Sequence, residues 1–209
     1  MKDILTLTQW LSPAFPVGAF AFSHGLETAV AEGHIAHAGS LTEWLLDLLK
    51  FGSVRSDVVL LVAAYRSEDV VDVDEIARAF QPTAERREEA EQLGVAFCRT
   101  VRDVWQLDLP DLTYPVAVGR AAALRKIELT DTATLYAHSF MSNLVSAAIR
   151  LVPLGQTEGQ CVLAKLQAPC NTLGQAAASF TLDDLTSAAF LSDIQAMRHE
   201  TQSPRIFQS

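Results

Sequence analysis

Cysteine is scarce in this 209-residue sequence: Cys98, Cys161 and Cys170 are the only three, and no two form a CxxC pair. An odd, widely spaced set argues against a disulfide framework and against a cysteine-based zinc module. Phosphate-cradling loops of the GxxxxGKS/T and GxGxxG kinds are missing, as are a GxSxG elbow and an HExxH pair. Basic charge is also short, with 16 Lys and Arg against 25 Asp and Glu and a formal net charge of −9. Such a surface repels phosphate backbones, and no basic recognition helix stands out, so a nucleic-acid partner is not expected. Nor is there an uninterrupted apolar run of membrane length. The most apolar stretch, 133–154, is broken by His138, Ser139, Ser142, Asn143, Ser146 and Arg150, and reads as a buried helix rather than a bilayer span. The opening MKDILTLTQW places Asp3 where a secretory leader would be cationic or apolar. The expectation is a soluble, cytoplasmic protein.

What is present is helix-forming sequence. Nearly half the residues, 49%, are hydrophobic, and a chain of this length buries roughly 70% of the surface its unfolded form exposes. A substantial core therefore forms without staples. No run shows period-two alternation bounded by hairpin turns. Helical patterns cover 1–11, 19–32, 54–66, 73–80, 83–104, 114–127 and 131–152. A further helix over 158–167 is expected to be interrupted by Pro169 before resuming to 178. Asp183-Asp184 is expected to open a last short helix. Ser40-Leu41-Thr42-Glu43 reads as a capping box, whose loss typically costs about 1 kcal/mol. It opens a helix with Leu41, Trp44, Leu45, Leu48 and Leu49 on one face.

Between the first two helices, Pro13, Pro16 and Gly18 predict a loop, because proline resists the helix and glycine permits positive φ. The helix over 131–152 is apolar almost all round and predicts a central core element. Its polar stripe of Ser139, Ser142, Asn143, Ser146 and Arg150 suits close helix approach, with Arg150 needing a carboxylate or a helix C-terminus nearby if buried. The run Glu85-Arg86-Arg87-Glu88-Glu89-Ala90-Glu91 reads either as a docking strip or as the solvated face of a surface helix. No repeat or linker divides 1–209, which reads as one all-α domain, a bundle of about ten helices. The tail, 197–209, lacks apolar periodicity and is expected to be ordered only if something holds it.

Candidate chemistry is thin. His34 and His37, three apart and close to Glu32, offer a metal site; the alternative is two exposed loop histidines. His138, in the core helix, reads as a satisfied buried histidine. Ser23 and His24 are neighbours, and adjacent helical residues point about 100° apart, which suits a nucleophile–base pair poorly. This inventory favours a binding protein over an enzyme. A small-molecule enzyme with an unrecognised histidine site remains the alternative, and it predicts a deep pocket joining these residues to a strongly shifted carboxylate.

Three blocks carry a resemblance. The first is Leu11-Ser12-Pro13-Ala14-Phe15-Pro16-Val17-Gly18-Ala19-Phe20 with Phe22-Ser23-His24-Gly25-Leu26-Glu27. The second is Tyr114-Pro115-Val116-Ala117-Val118-Gly119 with Ser142-Asn143-Leu144-Val145-Ser146-Ala147 and Arg150-Leu151-Val152-Pro153-Leu154-Gly155-Gln156. The third is Met197-Arg198-His199-Glu200-Thr201-Gln202 with Arg205-Ile206-Phe207. In this order they resemble the urease accessory protein UreF family, whose first block follows SPxxPVGxFxxSxGLE. Phe22 stands where that family often has Tyr, and Gln202-Ser203-Pro204-Arg205 where Tyr-Ser-Arg is common. The resemblance implies an all-helical, homodimeric, non-catalytic adapter. Its implied partners are UreD (UreH in some organisms), the GTPase UreG and the urease apoprotein, with nickel passing in transit and no firmly bound cofactor. It points to Pro13, Pro16, Gly18, His24 and Glu27, and to Arg198, His199, Glu200 and Arg205 in the tail, as partner-binding residues. The tail's charged groups are suited to charge-assisted bonds once ordered.

Overall fold

Composition alone sends one helix to the centre. In the computed structural model, which describes residues 2–209, that helix is α8 (Leu129–Leu151). It buries Ala133, Tyr136, Ala137, Met141, Leu144, Val145, Ala147 and Ala148, spaced so that most of its circumference is apolar. Before it come α1 (Lys2–Trp10), α2 (Leu26–Ala31), α3 (Ala38–Phe51), α4 (Ser53–Arg66), α5 (Val71–Ala79), α6 (Ala84–Trp105) and α7 (Tyr114–Leu124). After it come α9 (Gln156–Ala176) and α10 (Phe190–His199), with short 3-10 turns at Ala19–Ala21, Ala177–Ser179 and Leu182–Asp184. There is no strand among the described residues, and no helix is long and apolar enough to cross a membrane. Helices α8 and α9 form an antiparallel hairpin, and α1, α2, α3, α4 and α7 pack around α8. Their apolar faces merge into one core, in which each fully buried Leu or Phe contributes about 1.5–3 kcal/mol.

Helices α4 and α7 meet at near-backbone contact. A Cβ on Gly119 of α7 would lie 2.2 Å from the Leu61 carbonyl oxygen of α4, well inside van der Waals contact. Gly119→Ala is therefore expected to destabilise the fold by about 1–3 kcal/mol through forced helix separation. Urea unfolding measures this, and an unchanged midpoint would show that the two helices part freely.

The structure departs from the sequence expectations in four places. The helix expected over 19–32 is split into the Ala19–Ala21 turn and α2, because His24 (φ 57°) and Gly25 (φ 73°) are both left-handed. Helix α3 starts before the expected Ser40 cap. His37 is its N-cap: Nδ1 accepts from the Ser40 amide at 3.2 Å, while Ser40 Oγ accepts from the His37 amide at 3.3 Å. Helix α9 runs unbroken through Pro169. Leu166, Cys170 and Leu173 continue its buried stripe across that residue, and their burial outweighs a proline penalty of about 3 kcal/mol. Finally, Asp183 and Asp184 form only a 3-10 turn, and the last helix is α10, further along the chain. Of the helix expected over 1–11, Met1 lies outside the described residues.

Candidate functional site

The N-terminus of α6 is fixed by Thr83, whose Oγ1 accepts from the Arg86 amide at 3.1 Å. Winding from that cap places Arg86, Glu89, Ala90, Leu93 and Phe97 on the buried stripe. Two members of the charged run thus point inward, while Arg87 and Glu88 stay outside. Arg86 and Glu89 form an ion pair in the interior, each 3–4% exposed. His24 joins them, with Nε2 at 2.7 Å from Glu89 Oε1 and 3.0 Å from Arg86 Nη1. Burial alone would raise the Glu89 carboxyl, but Arg86, His24 and Ser209 more than offset it and hold it at about 2. Burial, then the Arg86 charge, lowers His24 and keeps its ring neutral. Its Nδ1 has no protein hydrogen-bond partner.

These three side chains share a cavity of about 30 Å³ with Asp57, Tyr114 and Tyr136. Asp57 accepts from the Tyr136 hydroxyl at 2.8 Å. Burial, reinforced by Glu89 and opposed by Arg86 and Tyr136, pushes its carboxyl up to about 6. A histidine and a shifted carboxylate do line one cavity, as an enzyme would require. The space, however, takes about two waters, whereas small-molecule sites span about 300–1,000 Å³.

Beside this cavity lies the socket of the C-terminal segment, built from α2, α6 and α10. Glu27, 6% exposed, accepts from the amides of Ile206 (2.8 Å) and Phe207 (2.9 Å). His199 is completely buried, with Nδ1 at 2.7 Å from Glu85 and Nε2 at 3.4 Å from Glu27. Arg205 also pairs with Glu85. The Ala84 amide donates to Glu200 at 2.8 Å, and Thr28 Oγ1 donates to Gln202 at 2.6 Å. Arg198 and Gln195 both hold Glu32, at 2.6 and 2.9 Å. Phe207 is buried, with the Arg150 guanidinium 4.5 Å above its ring. Arg150 also donates to the Phe20 carbonyl at 3.0 Å; it is exposed, so the burial that would have demanded a carboxylate or a helix C-terminus does not arise. What holds the tail is the chain's own acidic socket.

The structure brings His24, Glu27, Arg198, His199, Glu200 and Arg205 into this one region. His24, Glu27 and His199 are buried within the chain. Arg198, Glu200 and Arg205 are exposed while paired within the chain. Pro13, Pro16 and Gly18 sit apart from the socket, in an exposed loop after α1. His34 and His37 do not converge: His37 caps α3, and His34 lies 3.4 Å from a Glu32 already held by Arg198 and Gln195. No group of three or more His, Cys, Asp or Glu able to hold a metal occurs among the described residues. Sequence reasoning missed Arg86 and Glu89, though their phase with Leu93 and Phe97 carried the signal. It also missed α10, whose apolar residues Phe190, Leu191, Ile194 and Met197 recur at helical spacing but face outward.

Comparison with known proteins bears on the whole chain. The UreF family model matches residues 35–167, the middle of the fold without the socket's α2 and α10. Full-length similarity supplies the ends. The urease accessory protein UreF of Roseobacter denitrificans is 50% identical over 207 residues, covering 98% of this chain and 93% of that protein. UreF of Ruegeria sp. strain TM1040 is 53% identical over 208 residues, covering 98% and 97%. UreF of Ruegeria pomeroyi is 47% identical over 211 residues, covering 100% and 97%. With the family model and nearly full-length relatives in agreement, the chain belongs to the UreF family, and it is a urease accessory protein rather than an enzyme.

Proposed function

We propose that the chain is a cytoplasmic, homodimeric adapter that, with UreD (UreH) and the GTPase UreG, supports GTP-dependent nickel insertion into the urease apoprotein. Nickel is cargo in transit in this reading, and no cofactor is held firmly. The observation that carries it is the two-sided construction of α10. The inner face, Gln195, Ala196 and His199, is buried against the chain itself. The outer face presents Phe190 (71% exposed), Leu191 (46%), Ile194 (44%) and Met197 (51%). Helices of a self-sufficient monomer turn such residues inward, and a cluster turned outward marks an interaction surface. Because the inner face is tied down, the stripe is presented in fixed geometry, which lowers the ordering cost of docking.

The paired substitution Ile194→Asp with Met197→Asp tests this. Both sites are exposed, so helical content and thermal midpoint are expected to stay near those of the unaltered chain. Capture of UreD on co-expression is expected to fall at least tenfold, about 1.4 kcal/mol. Nickel-loaded urease from cells carrying the other accessory proteins is expected to fall with it. Full partner capture by the folded variant would remove α10 from the interface. Light scattering of the purified chain checks the dimer.

A further inference from the structure

The segment 21–25 is held from the far end of the chain. The Ser23 amide donates to the Ser209 carbonyl at 2.7 Å, and Ser23 Oγ donates to the same oxygen at 2.5 Å. The Gln208 amide donates to the Ala21 carbonyl at 2.8 Å. Ser209 Oγ donates to Glu89 at 2.7 Å, reaching the ion cluster in the cavity wall. At Gly25 the backbone of α10 comes so near that a Cβ would lie 2.6 Å from the Ala196 nitrogen. Between these contacts sits His24, a non-glycine residue at φ 57°. That conformation is unfavourable for a side chain with a Cβ and persists only where the surroundings impose it. On one side of His24 lies the C-terminal segment; on the other its ring lines the cavity, edge-on to Phe140 with centroids 4.4 Å apart.

We propose that the docked C-terminal segment is a latch on this cavity, whose departure releases His24 from the wall and admits solvent to Asp57. The Leu26 amide closes the left-handed turn on the Ser23 carbonyl at 3.0 Å, and the backbone contacts that brace it from outside belong to residues 195–209. Without them Ser23 loses both bonds to Ser209, Gly25 loses its α10 ceiling, and Glu89 loses its serine donor. The ring then keeps its Nε2 contacts with Glu89 and Arg86 and its edge contact with Phe140, while Nδ1 has no partner to hold it. The latch is a property of the chain itself and does not depend on which partner docks on α10.

Diethylpyrocarbonate, which acylates accessible neutral imidazole nitrogens, reads both halves of the latch in one experiment on the full chain. Peptide mass mapping after cleavage at glutamate places His24, His138 and His199 in separate peptides, with His34 and His37 sharing another. His199, buried in the docked segment, reports its release; His24 reports the cavity; half-buried His138 in α8 reports the integrity of the core. In the unaltered protein His34 and His37 are expected to react fast, and His24 and His199 slowly. Phe207→Ala and Glu27→Gln each remove an anchor outside the cavity. They are expected to raise the rates of His199 and His24 together, by at least tenfold, with His138 unchanged within twofold. A reactive His199 beside a His24 still at its original rate overturns the proposal. Should both variants fail to fold, the unaltered chain in urea below its unfolding transition gives the same comparison. There, parallel rises at His24 and His199 are expected, and a rise at His199 alone overturns the latch.

Discussion

Glu89→Ala is expected to destabilise the protein by about 3–5 kcal/mol at neutral pH, because it leaves the Arg86 guanidinium buried without its counter-charge. Arg86 is 4% exposed, and the neutral His24 ring cannot replace a carboxylate. Urea denaturation measures the loss. The double variant Arg86→Met with Glu89→Leu removes both charges and keeps apolar bulk, so it is expected to recover most of the deficit. A double variant no more stable than Glu89→Ala would place the cost in packing rather than in charge.

The pair also shapes the acid limb of stability. Glu89 falls from an ordinary 4.5 to about 2 in the folded chain. Its stabilising contribution is therefore complete above 4.5 and is lost as pH falls through about 2. The depression corresponds to roughly 3 kcal/mol, in line with the mutational cost.

Asp57→Asn is expected to act in the opposite direction, stabilising the protein at pH 8 by about 3 kcal/mol. The carboxyl moves from 3.8 up to about 6 on folding. Above about 6 the folded state carries the full cost of a buried charge; as pH falls toward 3.8 the group protonates and the cost disappears. Asparagine keeps the acceptor for the Tyr136 hydroxyl and has no charge to bury. The two denaturation curves should therefore coincide near pH 4, separate as pH rises toward 6 and stay apart by a constant margin above it. Equal midpoints at pH 8 would mean that water in the cavity already solvates Asp57 fully. Two carboxylates in one wall thus give opposite pH slopes, set by whether an arginine lies against them.

How much of this was legible in the sequence varies with where the deciding contacts lie. The core position of α8 followed from its composition, because apolar residues around the whole circumference leave no other place for it. The loop holding Pro13, Pro16 and Gly18 followed from local sterics. The break at Phe22–Gly25 did not, because Ser209 and α10 brace it from distant parts of the chain, which local pattern cannot register. The capping histidine was hidden by a better-looking signal: Ser40 and Glu43 fit a capping box, yet Ser40 serves as the third helical residue. Helix α9 survives Pro169 because long-range burial outweighs a local penalty. At the site, the blocks around His24-Gly25-Leu26-Glu27 and Arg198-His199-Glu200 were visible separately; that they clasp each other was not. Arg86 and Glu89 were hidden in a run that looked solvated, although the phase of Leu93 and Phe97 already turned them inward.

The bond between Ser23 and Ser209 spans a sequence separation of 186 residues. Closing so long a loop carries an entropic cost that earlier, shorter-range contacts do not, and topologies rich in such contacts form late. Folding should accordingly run from the α8–α9 hairpin outward and finish with residues 21–28 meeting 199–209. A protein stopped just before that step would already carry most of its helix and its core. The pocket around Glu27 would still be open, and only the final closure would distinguish the finished molecule from its last precursor.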